Sequence, residues 1–285
     1  MNRGKTVKLF FEEGTHHGII HGEMMNWTGF VVVAPRTALT ALYKMENIGG
    51  AGIYFLVSEE EKKAYVGETM NGINRLKDHH DKKDFWDQLI LVQTKDYNLT
   101  KTHCSYLEHR CAQLIEKTFY RLENKQSLDT YTGTLPRPDI SDMEVFLENL
   151  SFMLPAMGTN VLQPIIAKQN PTKPAVTFEM INKSVKAQAY VQDGWFVIQK
   201  GSIGKPAVSA SLSAGIKERR KVLIEKGIFK IEDHKLIVIE DYPTTSPSTA
   251  GSLLTGTPIS GPKNWKVKHT NTSYKEWEKE PLKLN

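Results

Sequence analysis

The chain has 285 residues, 40% of them hydrophobic and 24% charged, so it can bury a substantial core and we expect two or more domains. No apolar run is long enough to span a bilayer, and the first residues lack the apolar segment and cleavage site of a signal peptide. These features predict a cytoplasmic protein with no membrane partner. Cys104 and Cys111 stand seven apart on one predicted helix, too far for a disulfide, which indicates buried reduced thiols. No Cys/His array has zinc spacing.

The net charge of +5 is unevenly distributed. Residues 191–285 carry 15 Lys and Arg against 10 Asp and Glu, whereas residues 1–190 carry 22 of each. The whole excess therefore lies in the last third of the chain. This asymmetry favours contact with a polyanion there, although a lysine-rich solvated surface has the same composition.

In chain order, residues 1–49 have the pattern of a β-rich N-terminal segment with a short helix near its end. Residues 50–166 contain a β-hairpin, two strong helical patterns and a further helix from Glu144. Residues 167–176 are polar with two prolines, which predicts a linker.

Residues 177–270 follow as strand-like runs, a charged helix, another strand and a last helix, and residues 271–285 have the composition of a polar tail. Ser246, Pro247 and Gly256 mark the start and end of that last helix. The fold class expected from the whole pattern is α+β, with a small mixed sheet and flanking helices plus a second small α+β domain.

The predicted hairpin carries two tyrosines. If Val57 faces Lys62 across the turn, Tyr54 faces Tyr65, and directly opposed residues project from the same face. Gly67, just beyond, lets another backbone or a ligand approach closely. An aromatic pair that only packs the sheet is the alternative.

Two further patterns follow the hairpin. Arg75 and His79 are at i and i+4 and share a helix face. A later helix has an apolar stripe through both cysteines, and Glu108 lies at the border of that stripe. A carboxylate partly sunk in an apolar face needs a partner, which is either an arginine or a hard cation such as Mg²⁺. His103 and His109 are expected to be exposed.

These residues resemble a known family. GIY, ten residues and YVG resemble the signature of GIY-YIG nucleases, R-x-x-x-H at Arg75 and His79 resembles their next motif, and the glutamate of YLEHR and the asparagine of LEN, Asn124, match the remaining two. The likeness covers residues 50–128, and valine for isoleucine is its only departure. The N-terminal segment resembles that of a bacterial subgroup. The stretch from WFVIQKGS to NWKV resembles a C-terminal domain of unassigned function, similar to modules of restriction and DNA-modification enzymes.

The resemblance implies metal-dependent hydrolysis of DNA phosphodiester bonds with Mg²⁺ or Mn²⁺. Under this hypothesis Tyr54 orients or activates the water, with His79 as the proton acceptor behind it because an unperturbed phenol, with a pKa near 10, is a weak base at neutral pH. His80 is the competing histidine, and the motif spacing and the shared helix face favour His79. Tyr65 hydrogen-bonds a phosphate oxygen or the nucleophile, and Arg75 neutralises charge on phosphorus. Glu108 holds the metal ion. Asn124 positions the phosphate or buttresses Tyr54.

Several residues outside this set are candidate DNA contacts. They comprise a lysine near the arginine and histidine motif, a basic helical cluster, the amides of a helix N-terminus and a stretch that interleaves charge with an aromatic ring. The residues are Lys77, Arg219, Arg220, Lys221, Ser246, Ser248, Lys263, Trp265 and Lys266. Most such residues are solvated or structural, and Trp27, in the N-terminal segment, is expected in the core.

Three hypotheses remain open. The first is an endonuclease whose C-terminal domain helps to select or hold DNA, in restriction, defence or repair. The second is a DNA-binding protein with a nuclease-like fold, and the third is a nuclease whose C-terminal domain docks a protein partner. One active site cuts one strand, so cutting both requires a homodimer or two successive events.

Overall fold

The computed structural model describes residues 4–45, 48–71, 83–124, 133–165, 176–182, 184–192 and 194–279. The chain divides into two compact units, Met1–Pro164 and Ile165–Asn285. Each unit combines a β-sheet with helices, so the α+β class is confirmed. Within the described residues, no helix has both the length and the apolar character needed to cross a membrane.

The first unit is built on a seven-stranded sheet in the order β1-β2-β3-β6-β4-β5-β7. All neighbouring strands are antiparallel except β5 and β7, which are parallel. The strands are β1 (Val7–Phe11), β2 (Ile20–Met24), β3 (Gly29–Pro35), β4 (Gly52–Ser58), β5 (Lys63–Thr69), β6 (Gln88–Thr94) and β7 (Arg121–Leu122). The strands β1 to β3 of the predicted β-rich segment, residues 1–49, belong to the same sheet as the hairpin, because β3 pairs along its whole length with β6.

Helices cover one face of this sheet, and a second apolar cluster covers the other. The helices of the unit are α1 (Leu39–Leu42), α2 (Lys101–Ile115) and α3 (Arg137–Ala156). Buried residues of α2 and α3 form one core cluster with alternate side chains of β4, including Ile53 and Phe55. The intervening side chains Tyr54 and Leu56 belong to the cluster on the opposite face, with α1 and Trp86. This alternation is the period of two that every strand imposes.

The central strand β6 was not predicted. It lies between β3 and β4 and is buried over Leu89–Thr94. Its apolar run has no alternation because both faces of the sheet are covered at this position. Helix α3 was predicted from Glu144 and begins seven residues earlier, at Arg137, where Pro136 is the N-cap.

The second unit holds an eight-stranded sheet. The order along its main path is β12-β13-β11-β9-β10-β14, and β8 pairs with both β9 and β15. The strands are β8 (Thr177–Asn182), β9 (Val185–Gln192), β10 (Trp195–Ile198), β11 (Ile203–Gly204), β12 (Phe229–Glu232), β13 (Lys235–Val238), β14 (Tyr242–Thr244) and β15 (Lys266–Val267). The helices are α4 (Ala214–Glu225), α5 (Pro247–Thr255), α6 (Gly261–Asn264) and α7 (Tyr274–Trp277).

Helix α5 has the predicted ends. The Ser246 side chain accepts a hydrogen bond from the Thr249 amide, Pro247 is the first helical residue, and Gly256 ends the helix in the left-handed region at φ 69°. Six of its residues, from Ala250 to Thr255, are buried, so α5 is the central helix of this unit.

The expected polar tail is wrong for residues 271–279. Helix α7 places the rings of Tyr274 and Trp277 against Phe178, with ring centroids 5.2 and 5.1 Å apart. Tyr274 also contacts Phe196 of β10. These aromatic contacts pack the segment against the core, although its composition is polar and its rings are only half-buried. Of the predicted linker, residues 167–175 lie outside the described residues, as do residues 280–285.

Candidate active site

The two signature tyrosines lie on the same face of the sheet but are not directly opposed. Tyr54 pairs with Gly67, and Tyr65 pairs with Leu56. The four-residue turn lies one residue later than expected, over residues 59–62 instead of 58–61, so the register differs by two residues from the predicted one. A shift of two residues keeps every side chain on its face. The rings are therefore diagonal neighbours, with centroids 6.0 Å apart and planes inclined by 29°.

Gly67 receives the phenol of Tyr54. A Cβ at Gly67 would lie 2.5 Å from Cζ of Tyr54, a distance that real contacts do not reach. The close approach expected at this glycine is thus made by Tyr54 itself, and the Tyr54 side chain is fully buried. Tyr65 is half-buried and packs at the margin of the same cluster.

Lys83 adds a positive charge to the tyrosine pair. Its Nζ lies 4.4 Å from the centroid of the Tyr65 ring, within cation–π range. No sequence pattern points to this residue, since Lys83 belongs to a mixed run of charges that is typical of a solvated loop. The contact places an ammonium group beside the Tyr65 ring.

Asn124 lies at the outer edge of β5. Its Nδ2 donates to the Val66 carbonyl at 2.7 Å, and the Val66 amide donates to Asn124 Oδ1 at 3.3 Å. The amide side chain thereby continues the parallel pairing of β7, which covers only Lys63 and Ala64. Asn124 is fixed beside the residue that separates Tyr65 from Gly67.

Glu108 is half-buried on α2, as its position at the border of the apolar stripe predicted. The stripe packs on the sheet face that bears Phe55 and Val66, so α2 and the tyrosine pair lie on opposite faces. Burial, together with the nearby carboxylates of Glu68 and Glu108, raises the pKa of the Cys104 thiol to about 12. Both cysteines are buried and free, as predicted.

The two histidines of α2 are not exposed as expected. His103 accepts from the Thr100 amide in a capping box, and its Nε2 lies 3.5 Å from Asp139. His109 is half-buried and contacts Gln113 at 2.9 Å. Both histidines belong to α2, which packs on the face of the sheet opposite to the tyrosine pair.

The remaining motif residues Arg75 and His79, and the nearby Lys77, lie outside the described residues. Two of the six predicted catalytic residues, Tyr54 and Tyr65, are in contact with each other. Asn124 contacts β5, the strand of Tyr65, through Val66. Glu108 belongs to α2, on the opposite face of the sheet.

The described residues fit a metal ion held by few protein groups. They contain no cluster of three or more His, Cys, Asp or Glu side chains suited to a metal. Glu68, whose side chain is on β5 beside α2, has one carboxylate oxygen paired with Lys101, and its buried Oε2 has no hydrogen-bond partner. Mg²⁺ commonly uses one or two carboxylates with phosphate and water, so Glu108, with Glu68 near the same cysteine, suits it.

The basic residues predicted on the second unit divide into surface and core positions. Arg220 is 2% exposed, and its guanidinium donates to the carbonyls of Lys205, Pro206 and Leu253. Trp265 is fully buried, and its Nε1 donates to the Pro247 carbonyl at 3.0 Å. The prediction that these two residues contact DNA is wrong, because both are used to hold the core.

The serines predicted to hold a phosphate at the start of α5 have protein partners. Ser246 Oγ accepts a hydrogen bond from the Thr249 amide, and the Gly261 amide donates to Ser248 Oγ at 3.1 Å. The Gly261 backbone lies so close to Pro247 and Ser248 that no Cβ would fit. The first turn of α5 is therefore half-buried, and a phosphate contact there stays a prediction. Of the predicted contacts, Lys221, Lys263 and Lys266 are exposed and Arg219 is half-buried.

A family model for a domain of unknown function (DUF4357) matches residues 177–278, which include the whole described sheet of the second unit and α7. No curated protein and no solved structure matches the chain.

Proposed function

We propose that the chain is a metal-dependent endonuclease that hydrolyses DNA phosphodiester bonds, with a GIY-YIG-type catalytic unit in residues 50–128. The observation that carries the proposal is the stacked pair of Tyr54 and Tyr65 over Gly67, at the edge of β5 that Asn124 holds. Two phenols, an amide and the ammonium of Lys83 within one neighbourhood supply the neutral and cationic donors that a phosphodiester needs.

In this proposal the tyrosine pair binds the phosphate and orients the attacking water. Tyr65, which is half-buried, donates its phenol hydrogen to a phosphate oxygen or to the attacking water. Tyr54, held by Gly67 and the cluster behind it, fixes the position of Tyr65 and helps to orient the water. Lys83 neutralises phosphate charge near Tyr65. Arg75 and His79 keep the roles that the resemblance implies, as phosphate contact and proton acceptor.

Glu108, with Glu68 as a neighbouring carboxylate, would hold Mg²⁺ or Mn²⁺. Such an ion supplies neutralisation of charge on the leaving oxygen. The edge of β5 beyond Ala64 has no strand partner among the described residues, and the proposal places the DNA at this edge.

The second unit is proposed to hold DNA through its exposed basic side chains. Arg219, Lys221, Lys263 and Lys266 remain candidates for phosphate contacts, and the excess positive charge of the last third of the chain supports them. Docking of a protein partner by this unit is the competing proposal. Restriction, defence and repair are the settings in which a cytoplasmic enzyme of this kind acts.

One observation favours a second candidate, a protein that binds DNA through a nuclease-like fold without cutting it. Tyr54 is fully buried, and Glu108 belongs to a helix on the opposite face of the sheet. Cleavage requires both groups to reach one phosphodiester, whereas binding requires only the surface donors.

The deciding experiment incubates the full chain with supercoiled plasmid and with modified and unmodified phage DNA, in Mg²⁺, Mn²⁺ or EDTA. The test variant is Glu108→Gln, and the matched control is Glu123→Gln, an exposed glutamate. Metal-dependent nicking or cutting that is lost in Glu108→Gln and kept in Glu123→Gln supports the nuclease. Binding without cutting on every substrate supports the second candidate, and equal cutting by both variants overturns the role of Glu108.

A further inference from the structure

Strand β1 forms one edge of the seven-stranded sheet, at the end opposite to β7. It pairs with β2 through all five of its residues, Val7–Phe11, in an unbroken register. Proteins protect exposed sheet edges with prolines, bulges, very short strands or a covering segment. Strand β1 contains no proline and no bulge, and among the described residues no strand pairs with its outer side. The outer side of β1 is therefore available to a further strand.

The backbone of β1 directs the polar groups of every second residue outwards. The Glu12 amide donates to the Ile19 carbonyl at 3.0 Å, and hydrogen-bonded pairs alternate with non-hydrogen-bonded pairs along an antiparallel ladder. The residues whose amide and carbonyl groups point away from β2 are therefore Val7, Leu9 and Phe11. Among the described residues, the outward groups of Val7 and Leu9 make no hydrogen bond, and the Phe11 carbonyl accepts from the Gly14 amide at 3.0 Å.

Apolar side chains are exposed along this edge. Leu9 is 36% exposed and Phe10 is 61% exposed, and they lie on opposite faces of the sheet because they are neighbours in one strand. Phe152 of α3 is 46% exposed and lies close to the start of β1, since Lys5 Nζ is 4.9 Å from the centroid of its ring. Clustered exposed apolar groups mark interaction surfaces. A partner that fits this edge therefore supplies apolar side chains as well as backbone groups.

The charges around β1 are divided between its two ends. Lys5 and Lys8 lie at its start, Glu12 and Glu13 follow its end, and all four residues are exposed. Lys5 and both glutamates also make contacts within their own chain and stay exposed. An antiparallel copy of β1 brings the basic start of each strand beside the acidic end of the other, whereas a parallel copy brings like charges together. The charge pattern of β1 therefore complements itself in the antiparallel direction.

We propose that β1 pairs with β1 of a second copy of this chain, antiparallel and about a two-fold axis at Leu9. In this register all five residues of each strand are paired. The outward groups of Leu9 meet those of Leu9 in the second copy, and the outward groups of Val7 meet those of Phe11. Lys8 then faces Phe10 of the second copy, whose ring attracts an ammonium group. An axis at Lys8 would instead oppose two lysines, which is unfavourable.

The pairing joins two seven-stranded sheets into one continuous sheet. Both copies use the same surface, so the contact is self-complementary and the assembly closes as a dimer. The end of the sheet that carries Tyr65 and Asn124 lies outermost in each copy, away from the contact. This inference goes beyond the proposed nuclease function and does not depend on cleavage.

The first test is sedimentation equilibrium of the full chain in EDTA and without DNA. One pair of short strands buries little surface, so we expect a dissociation constant on the order of 10 µM. The mass should rise with concentration from 32.3 kDa towards twice that value. A mass that stays at 32.3 kDa up to roughly 200 µM overturns the proposal.

The second test changes the residue at the axis. Leu9→Lys places a lysine opposite itself, and we expect it to weaken the dimer by at least about tenfold. The matched control is Ile140→Lys, because Ile140 has nearly the same exposure, 37%, and lies near the start of α3. The control should dimerise like the wild type, with thermal melting verifying that both variants are folded. Equal dimerisation by the two variants places the contact on another surface and contradicts the proposal.

The third test examines the register without weakening the contact. Leu9→Cys places a thiol opposite itself in a hydrogen-bonded pair, where Cα atoms are about 5.5 Å apart and a disulfide can form. Val7→Cys is the matched control, because its two thiols are about four residues, or roughly 13 Å, apart along the strands. The natural thiols of Cys104 and Cys111 are buried. Mild oxidation should crosslink Leu9→Cys and leave Val7→Cys monomeric on a denaturing gel, and any other pattern contradicts the register.

Discussion

Gly67 pairs with Tyr54 across β4 and β5, and the phenol of Tyr54 occupies the space that a side chain at Gly67 would need. Gly67→Ala therefore forces the Tyr54 ring out of its place. We expect the free energy of unfolding to fall by about 1–3 kcal/mol, as for other overpacked cores, and any cleavage to fall with it. Urea denaturation measures the first effect. Gly49→Ala is the control because a Cβ at Gly49 meets nothing, and equal stability of the two variants would contradict the fitted ring.

Lys83 is expected to contribute its charge to the tyrosine site, on the basis of the proposed nuclease function. Lys83→Met removes the ammonium over Tyr65, and we predict a fall of about tenfold in kcat/KM that Lys83→Arg restores in large part. The effect should weaken as salt concentration rises, because a charge contact is screened. Lys44→Met, at an exposed lysine, serves as control. If wild-type protein cuts DNA and Lys83→Met cuts equally well, the lysine has no part in the site.

Substitution by methionine should lower the stability of the second unit strongly at Arg220 and hardly at all at its neighbour Lys221. Arg220→Met leaves the carbonyls of Lys205, Pro206 and Leu253 without their donor, so we expect the second unit to lose at least about 2 kcal/mol of stability. Lys221→Met changes an exposed side chain, and its effect on stability should stay within about 0.5 kcal/mol. Thermal melting of both variants checks this. A melting temperature unchanged in Arg220→Met would contradict the structural role.

The ionisation of Tyr106 should lower the stability of the folded protein at alkaline pH. Burial and the hydrogen bond from its hydroxyl to Glu144, 2.7 Å long, raise the pKa of Tyr106 to about 12. Because the folded state holds this proton more tightly than the unfolded state, the contribution is complete below pH 10 and is lost as the pH rises towards 12. The wild type should therefore lose stability more steeply than Tyr106→Phe over this interval. Denaturation at stepped pH measures the difference, and Tyr97→Phe, at an exposed tyrosine, is the control.

The two thiols should be inert in the native protein. Burial raises the pKa of Cys104 to about 12 and that of Cys111 further, so almost no thiolate exists at pH 8. A disulfide reagent such as DTNB should label neither cysteine until denaturant is added, and then both. Fast labelling without denaturant would show that α2 opens readily from the sheet.

The sequence correctly predicted which side chains of the hairpin share a face of the sheet, but it did not predict which residues pair across the hairpin. The positions of Tyr54 and Tyr65 on one face follow from the period of a strand, which the residue types alone reveal. The register depends on where along the chain the turn is centred, and the charged run over Glu59–Lys62 has no turn signature that fixes this position. Lys62 adopts a positive φ of 51°, a conformation that a lysine in the sequence does not predict.

Burial of polar and charged side chains was the main source of error elsewhere. Arg220 and Lys221 are adjacent in one basic cluster, yet only Arg220 turns into the core. Trp265 sits between lysines and is fully buried. Composition cannot separate these residues, because their burial depends on contacts with carbonyls of distant segments. Helix α7 escaped prediction for the same reason, since its two rings meet partners nearly a hundred residues away.

The two hydrogen bonds between the Asn124 side chain and the Val66 backbone have a consequence for self-association. An unpaired strand edge is a template for another chain, and β7 covers β5 only as far as Ala64. The Asn124 amide occupies both outward backbone groups of Val66 and stops an incoming strand at that residue. The Asn124 side chain thus prevents edge-to-edge pairing with another chain at the same edge where the proposed substrate approaches.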